Sequence, residues 1–244
     1  MDYHAISTKI KAMKAKLLSR EEYKALCQCH TVEHFFGQGI SIRDRMSITE
    51  ELKRLRSFIK DPEGRRILLF EGQMKGQTKG QSEGQMKDKD MVKVWSFVKS
   101  LPYGQNRQAL TYIKGVEIDL NNILYIYRLK RYYTKAQVYP HLVPICYKLN
   151  KGDIKKMVEC PGTPEFIVAV LNTPYRHINF ENAEKAIVRE MDQVNSKMAK
   201  RFPKSMAEVL GYLSIRRKEM HNLTAIMEGI KYQLRPEEIF KHLL

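Results

Sequence analysis

Two stretches of this chain repeat one another, and the repeat constrains the fold more than any other feature of the sequence. Asp119-x-x-Asn122 recurs as Glu219-x-x-Asn222, at an offset of 100 residues (222 − 122). Each acid stands three residues before its Asn, so on a helix the two side chains share a face. Similarity that recurs at a long period indicates a duplicated architecture. We therefore expect two related units.

A second pair of similar segments supports the duplication. Leu26-x-x-Cys29 recurs as Met157-x-x-Cys160, at an offset of 131 residues (160 − 29). The order of the two motifs is the same in both copies, as expected for a duplicated unit. The sequence therefore predicts one helical unit over residues 1–147 and a second over residues 148–244.

The two offsets differ by 31 residues (131 − 100), which predicts an insertion in the first unit. Residues 72–87 consist of four tetrapeptides that each begin with Gly-Gln. Such a tract has almost nothing apolar to bury, and each glycine loses much backbone entropy when it is ordered. We expect a disordered, low-complexity surface loop at about residues 72–90.

Apolar residues recur with helical spacing along the chain, and no segment reads persuasively as a strand. Ile6, Ile10 and Met13 predict an opening amphipathic helix, whose aliphatic face favours docking on the protein core over lying on a membrane. Ser19-x-x-Glu22 and Ser205-x-x-Glu208 have the spacing of capping boxes and predict two further helix starts. The predicted fold class is all-α.

Hydropathy argues against a membrane-embedded chain. The longest apolar run, Phe166–Leu171, is far shorter than the roughly 20 residues that span a bilayer. The first residues lack the charged and apolar regions of a signal peptide. Four cysteines are too few for a disulfide framework in a chain of this length. We expect a cytoplasmic protein without a membrane span.

The formal net charge of +16 predicts an anionic partner. Nucleic acid, an acidic protein and anionic lipid headgroups all satisfy this requirement, and headgroups attract each nearby Lys or Arg by about 1 kcal/mol. Charge alone does not choose among the three. The basic run Arg216-Arg217-Lys218 is interpreted as a solvated helix face.

No motif for an enzyme is present: there is no Walker phosphate loop, dinucleotide glycine fingerprint or nucleophile elbow. Asp119 and Glu219 could act as two carboxylates in acid–base catalysis. Alternatively, each Asn bonds the backbone of a neighbouring helix end while the acid orients it. Duplication favours the structural interpretation, in which Tyr132 and Tyr232 complete the same contact as half-buried aromatics. We predict no catalytic residue and no cofactor.

The densest group of potential metal ligands is Cys27-x-Cys29-His30 with His34. On a helix, however, Cys27 and Cys29 would point about 160° apart, so the four groups cannot converge on one tetrahedral ion. We predict no metal site.

A basic and aromatic cluster lies at residues 125–133 and consists of Tyr125, Tyr127, Arg128, Lys130, Arg131, Tyr132 and Tyr133. This combination can stack on and neutralise single-stranded nucleic acid. On a helix these side chains spread around most of the circumference instead of lining one groove. A basic helical module that binds nucleic acid is therefore kept as the alternative function.

Three stretches resemble the C subunit of the V-type (V/A-type) ATPases, whose eukaryotic counterpart is the d subunit. They are similar to the opening helix and its turn, to an internal Ile-Asp-x-x-Asn-Ile motif followed by Arg and Lys, and to the carboxy-terminal helix pair of that family. In this chain the stretches are Ile10–Tyr23, Ile118–Ile123 with Arg128 and Lys130, and Arg217–Ile230 with Pro236–Ile239.

The resemblance implies a non-catalytic, funnel-like helical collar. In that family the subunit sits on the membrane rotor ring, receives the foot of the central stalk and passes torque between ATP chemistry and ion translocation. The family has three related domains, so two units imply a shortened member. The expected partners are ring and central-stalk subunits on the cytoplasmic face, beside an anionic membrane surface.

Overall fold

The computed structural model describes residues 3–38, 47–73, 83–130 and 135–243. These residues form α-helices and two short 3-10 turns, with no β-strand among them, so the predicted all-α class is confirmed. The helices are α1 (His4–Lys14), α2 (Arg20–Cys27), α3 (Val32–Phe36), α4 (Ile48–Phe58), α5 (Pro62–Gln73), α6 (Glu83–Ser100), α7 (Gln105–Leu129), α8 (Lys135–Val138), α9 (Lys151–Glu159), α10 (Thr163–Leu171), α11 (Ala183–Arg201), α12 (Met206–Lys231) and α13 (Pro236–His242).

Three long helices form the centre of the molecule. Helix α11 packs along both α7 and α12, and these two also contact one another. The first eight residues of α12, Met206–Leu213, are all buried, which is the pattern of a helix surrounded by protein on every side. The remaining helices pack around this centre.

The opening helix docks on the core, as its sequence predicts. Ile6, Ile10 and Met13 of α1 are buried, and α1 packs against α12. The Ser7 hydroxyl also donates a hydrogen bond to Glu208 Oε1 at 3.1 Å. An aliphatic stripe and one buried hydrogen bond therefore hold the amino-terminal helix in place.

One of the two predicted capping boxes forms and the other does not. Ser19 and Glu22 exchange both hydrogen bonds at the start of α2. Ser205 caps α12 through the Ala207 N–H, but Glu208 accepts from the Lys204 N–H and from Ser7. The tertiary contact with α1 takes the carboxylate that a local box would use.

The Gly-Gln tract departs from the predicted loop at both ends. Residues 72–73 belong to α5 and residues 83–87 belong to α6. Residues 74–82 lie outside the described part of the chain. The ends of the tract are helical because each continues a neighbouring amphipathic helix, so a loop over the whole of 72–90 is wrong for these flanks.

The repeated helix pairs pack in a different combination from that of the predicted units. Helices α2 and α3 bury Leu26 and Phe35 against Leu223 and Ile226 of α12. Helices α9 and α10 instead pack on α7. Each pair therefore contacts the long helix of the other predicted unit. The division into two units at residue 147 stays a prediction, and the helix pair of each predicted unit packs on the long helix of the other.

A substitution at Gly229 tests how closely α12 and α13 pack. A Cβ at this position of α12 would lie 2.6 Å from Ile239 Cγ1 of α13, and the branched Ile side chain has little freedom to retreat. Replacement of Gly229 by Ala is expected to lower the free energy of unfolding by about 1–2 kcal/mol, measured by urea denaturation.

The matched control is Gly104→Ala, because a Cβ at Gly104 meets nothing within 4 Å. The free energy of unfolding of this variant is expected to stay within about 0.5 kcal/mol of that of the unmodified protein. Equal effects of the two substitutions would contradict the close α12–α13 packing.

Candidate functional site

The first copy of the repeated motif pins a loop to helix α7. The Asp119 carboxylate accepts hydrogen bonds from the backbone N–H groups of Tyr147 (3.0 Å), Lys148 (2.7 Å) and Leu149 (3.1 Å). The Tyr175 hydroxyl donates a fourth at 2.9 Å. Hydrogen bonds to a charged acceptor contribute about 1.5–3 kcal/mol each. One fully buried carboxylate thus organises a whole loop.

The Asn of the motif completes this contact. Asn122 Nδ2 donates to the Val143 carbonyl at 3.0 Å, and the Val143 N–H donates back to Asn122 Oδ1 at 2.9 Å. The prediction that the Asn bonds neighbouring backbone agrees with this geometry. The acid does not orient the Asn, however, because it binds the backbone of residues 147–149 directly.

The second copy makes an equivalent contact elsewhere. Glu219 Oε1 accepts the Leu18 N–H at 2.9 Å, and Leu18 directly precedes Ser19, the N-cap of α2. In the first copy Asp119 accepts the Leu149 N–H, and Leu149 directly precedes Asn150, the N-cap of α9. Each acid therefore binds the residue directly before the N-cap of a helix, and both of these helices begin with a capping box.

The two tyrosines assigned to the motif have different outcomes. Tyr132 lies outside the described residues. Tyr232 is 71% exposed, so the predicted half-buried contact does not form there. It directly follows the last residue of α12. Asn222, the Asn of the second copy, is buried.

One turn of α12 carries a buried ionic network that the sequence did not reveal. Arg216 forms an ion pair with Glu219, and its Nε lies 3.9 Å from Glu51 Oε2 of α4. Glu51 also accepts a hydrogen bond from the Tyr212 hydroxyl at 2.9 Å. Arg216 is buried, so the interpretation of residues 216–218 as a solvated face is wrong at this position.

The adjacent Arg217 enters a second network. Its guanidinium lies 2.6 Å from Glu71 Oε2 of α5, and Glu71 also pairs with Lys114 of α7. Lys114 is 2.7 Å from Glu117. Two cations and two carboxylates thus balance one another. The available sequence signal is the position of Lys114 within the apolar face of α7, between Ile113 and Val116.

The fully buried Lys114 keeps its charge in this setting. Burial alone would lower its pKa, but the Glu117 and Glu71 carboxylates outweigh burial, and the pKa is raised. A paired charge in the interior is costly to break, because the partner left behind has neither water nor a counter-ion. The network therefore fixes α5, α7 and α12 relative to one another.

Two residues of the basic and aromatic cluster of α7, Tyr127 and Lys130, make contacts inside the protein. The Tyr127 ring packs against Phe166 and Phe180 at centroid distances of 5.8 and 5.4 Å. The Lys130 ammonium donates to the carbonyls of Met157 (3.3 Å), Val158 (3.4 Å) and Cys160 at the end of α9, where a cation is favoured. Residues 131–133 lie outside the described part.

The cysteine and histidine group does not come together. Cys27 and Cys29 are buried, whereas His30 and His34 are exposed. Burial raises the pKa of the Cys27 thiol to about 11, which favours the neutral thiol over a metal-binding thiolate. Across the described residues, no three His, Cys, Asp or Glu side chains are placed to hold one metal ion.

None of the helices in the described part of the chain is both long enough and apolar enough to cross a bilayer. The repeated acids of α7 and α12, Asp119 and Glu219, are both buried. The Asp119 and Glu219 carboxylates bind backbone N–H groups and a neighbouring Arg side chain.

Comparison with known proteins gives a consistent match. Residues 89–242 match the sequence model of a family described as ATP synthase (C/AC39) subunit. The C subunit of the A-type ATP synthase of Archaeoglobus fulgidus is 30% identical over 142 residues, covering 55% of this chain and 41% of that protein. The protein of the same description from Methanobrevibacter smithii is 26% identical over 140 residues, covering 52% and 36%. The aligned part is thus about two fifths of each relative's length.

The Asp119 contact predicts a large loss of stability when the carboxylate is neutralised. In Asp119→Asn an amide NH₂ replaces an oxygen that accepts N–H groups, so at least one buried donor loses its partner. The free energy of unfolding is expected to fall by about 3 kcal/mol in a chemical denaturation experiment.

Glu159→Gln is the control for this substitution. Glu159 is an exposed carboxylate that lies 4.0 Å from Lys155, and such pairs contribute about 0–1 kcal/mol. A loss at Asp119 no larger than that at Glu159 would mean that the carboxylate does not organise the loop.

Tyr175 predicts a dependence of stability on alkaline pH. Burial, and then the nearby Asp119 carboxylate, raise the pKa of its hydroxyl in the folded protein. Stability from this group is complete below the unfolded pKa of about 10 and falls as the pH rises above it. In Tyr175→Phe the slope between pH 10 and 11 is expected to be shallower by up to about 1.4 kcal/mol per pH unit.

Unfolding free energies measured at several pH values would give this slope. Tyr103→Phe serves as the control, since Tyr103 is 83% exposed. An unchanged slope in Tyr175→Phe would contradict the buried Tyr175–Asp119 contact.

Proposed function

Because the chain belongs to the ATP synthase (C/AC39) subunit family, we propose that it is a non-catalytic subunit of the central rotor of a V/A-type ATPase. In this role it connects the central stalk to the membrane rotor ring. It lies on the cytoplasmic face of the membrane and passes torque between ATP chemistry and ion transport.

The observation that carries this proposal is the charged turn of α12, residues 216–219. Through side chains it contacts the start of α2, and it reaches α4 by Glu51 and α5 by Glu71. Glu71 in turn pairs with Lys114 of α7. A subunit that transmits torque must resist relative motion of its helices, and buried, mutually paired charges are costly to separate.

A non-catalytic role is supported by the state of the two repeated acids. Asp119 is 0% exposed and Glu219 is 2% exposed. Asp119 accepts hydrogen bonds from three backbone N–H groups and from Tyr175, and Glu219 is bonded to the Leu18 N–H and to Arg216. A general acid or base must come within hydrogen-bond reach of a substrate proton, and these carboxylates are already occupied by the protein.

The exchange of helix pairs between the two predicted units suggests the shape of the collar. One lobe consists of α7 with α9 and α10, and the other consists of α12 and α13 with α2 and α3. We propose that these two lobes form an open cradle for the foot of the central stalk. The repeated carboxylate contact then holds a helix pair on each long helix in the same manner.

Nucleic-acid binding has less support. Within the candidate cluster, the Tyr127 ring packs on phenylalanine rings and the Lys130 ammonium binds the carbonyl end of α9. Both groups therefore face protein. Single-stranded nucleic acid needs aromatic faces that are free to stack.

Co-purification tests the proposed role. A chain carrying an affinity tag is expressed in its own cell and recovered from membranes solubilised in mild detergent. Ring and central-stalk subunits are expected in a constant ratio to the chain, identified by mass spectrometry. A reverse purification through a tagged ring protein should recover the chain.

The proposal fails if the chain elutes alone from an extract in which an assembled ATPase elutes without it.

A second measurement tests whether the chain transmits torque. Vesicles whose ATPase lacks the chain are expected to hydrolyse ATP without building an ion gradient, and adding the chain back should restore the gradient.

A further inference from the structure

Helix α1 and the α4 region contact one another through two pairs of side chains. The Lys9 ammonium lies 3.8 Å from the centroid of the Phe58 ring, and the Tyr3 hydroxyl donates to Asp61 just after α4 at 2.9 Å. Both helices pack on α12. The exposed side chains of residues 3–20 and 47–60 are together called the basic face.

Almost all exposed charge on the basic face is positive. Residues 3–20 contain no Asp or Glu, and residues 47–60 contain only Glu50 and Glu51. Glu51 is buried beneath Tyr212 and Arg216, while Glu50 pairs with Lys53 at 2.7 Å. The exposed cations are Lys9, Lys11, Lys16, Arg20, Lys53, Arg54 and Lys60.

Several of these cations have no carboxylate partner within the described residues. No ion pair involves Lys11, Lys16 or Lys60 there. The nearest acid in sequence to Lys60 is Asp61, which is occupied by the Tyr3 hydroxyl and the Gly64 N–H. Within residues 3–20 and 47–60, Lys and Arg therefore outnumber Asp and Glu, and the basic face carries an excess of positive charge.

The kind of cation identifies the partner. Five of the seven are Lys, and among the described side chains of the face no aromatic ring is exposed, since Tyr3 is buried and Phe58 lies against Lys9. Protein interfaces are enriched in aromatic residues and Arg and depleted in Lys. Single-stranded nucleic acid is held by stacking on aromatic rings. A diffuse array of lysines instead matches a plane of anionic headgroups.

We propose that the basic face binds the surface of an anionic lipid bilayer, through charge and without insertion. This inference rests on the proposed function for the presence of a membrane beside the chain. The face lies before residue 89, and so outside the segment that matches the family. It gives this chain a lipid contact in addition to its protein partners.

Vesicle sedimentation tests the proposal with the full chain. Vesicles of phosphatidylcholine alone are compared with an equal mixture of phosphatidylcholine and phosphatidylglycerol. The chain is expected to bind the mixed vesicles and not the neutral ones. Binding should weaken as salt is added, because the Debye screening length falls to about 8 Å at physiological ionic strength.

Two triple variants separate the basic face from net charge. Lys11→Gln, Lys16→Gln and Lys60→Gln remove three charges from the face, and binding to the mixed vesicles is expected to weaken about 100-fold. The matched control removes three exposed lysines elsewhere: Lys197→Gln, Lys200→Gln and Lys231→Gln. The control is expected to weaken binding by less than about tenfold.

Equal losses in the two variants would overturn the proposal, as would a failure of the unmodified chain to bind mixed vesicles. A greater dependence on Lys11, Lys16 and Lys60 for single-stranded RNA than for vesicles would overturn it in favour of nucleic acid. Thermal unfolding of both variants is measured alongside, and these exposed sites are expected to leave it unchanged.

A failure of the lipid contact and a failure of the proposed function give different results. A chain that co-purifies with ring and stalk subunits but ignores anionic vesicles retains the rotor role and loses the lipid contact. A chain that binds vesicles through the basic face but never co-purifies with an ATPase retains the lipid contact and loses the rotor role.

Discussion

A buried carboxylate that holds the backbone just before a helix cap is the contact on which the rest of this structure depends. Asp119 binds the Leu149 N–H and Glu219 binds the Leu18 N–H. In each case the next residue is the N-cap of a helix. The first turn of a helix has unsatisfied N–H groups, and its position sets the direction of the whole helix. Holding its entry therefore places an entire helix pair on a long helix.

The charged turn of α12 extends this principle from one contact to several helices. Arg216 and Arg217 point to different carboxylates, Glu51 and Glu71, which belong to consecutive helices. Taking such groups out of water is costly, and replacing one partner alone would leave an unpaired charge. The arrangement favours a single relative placement of the helices. That property suits a subunit whose proposed work is mechanical, and it leaves the outer lysines of α1 and α4 available for a surface.

Local sequence signals predicted the helices well where the deciding contacts lie within a few residues. The Ser19–Glu22 capping box formed because both of its partners lie on one exposed helix turn, within direct reach of one another. The Ser205–Glu208 box did not form, because Glu208 is bonded to Ser7, 201 residues away. Tyr232 was expected to pack as a half-buried aromatic and is exposed at a helix end. Arg216 was interpreted as part of a solvated face but is buried, where it lies near Glu51 of a different helix.

The sequence by itself determined the all-helical class and the repeated acid–Asn spacing, because each follows from patterns within one segment. Tertiary structure alone decided which repeated helix pair packs on which long helix. Both long helices offer a similar acid and a similar apolar face, so local pattern cannot distinguish the two pairings. The amino-terminal pair packs on α12, and the α9–α10 pair packs on α7. That choice depends on where the connecting chain allows each pair to reach, which is a property of the whole fold.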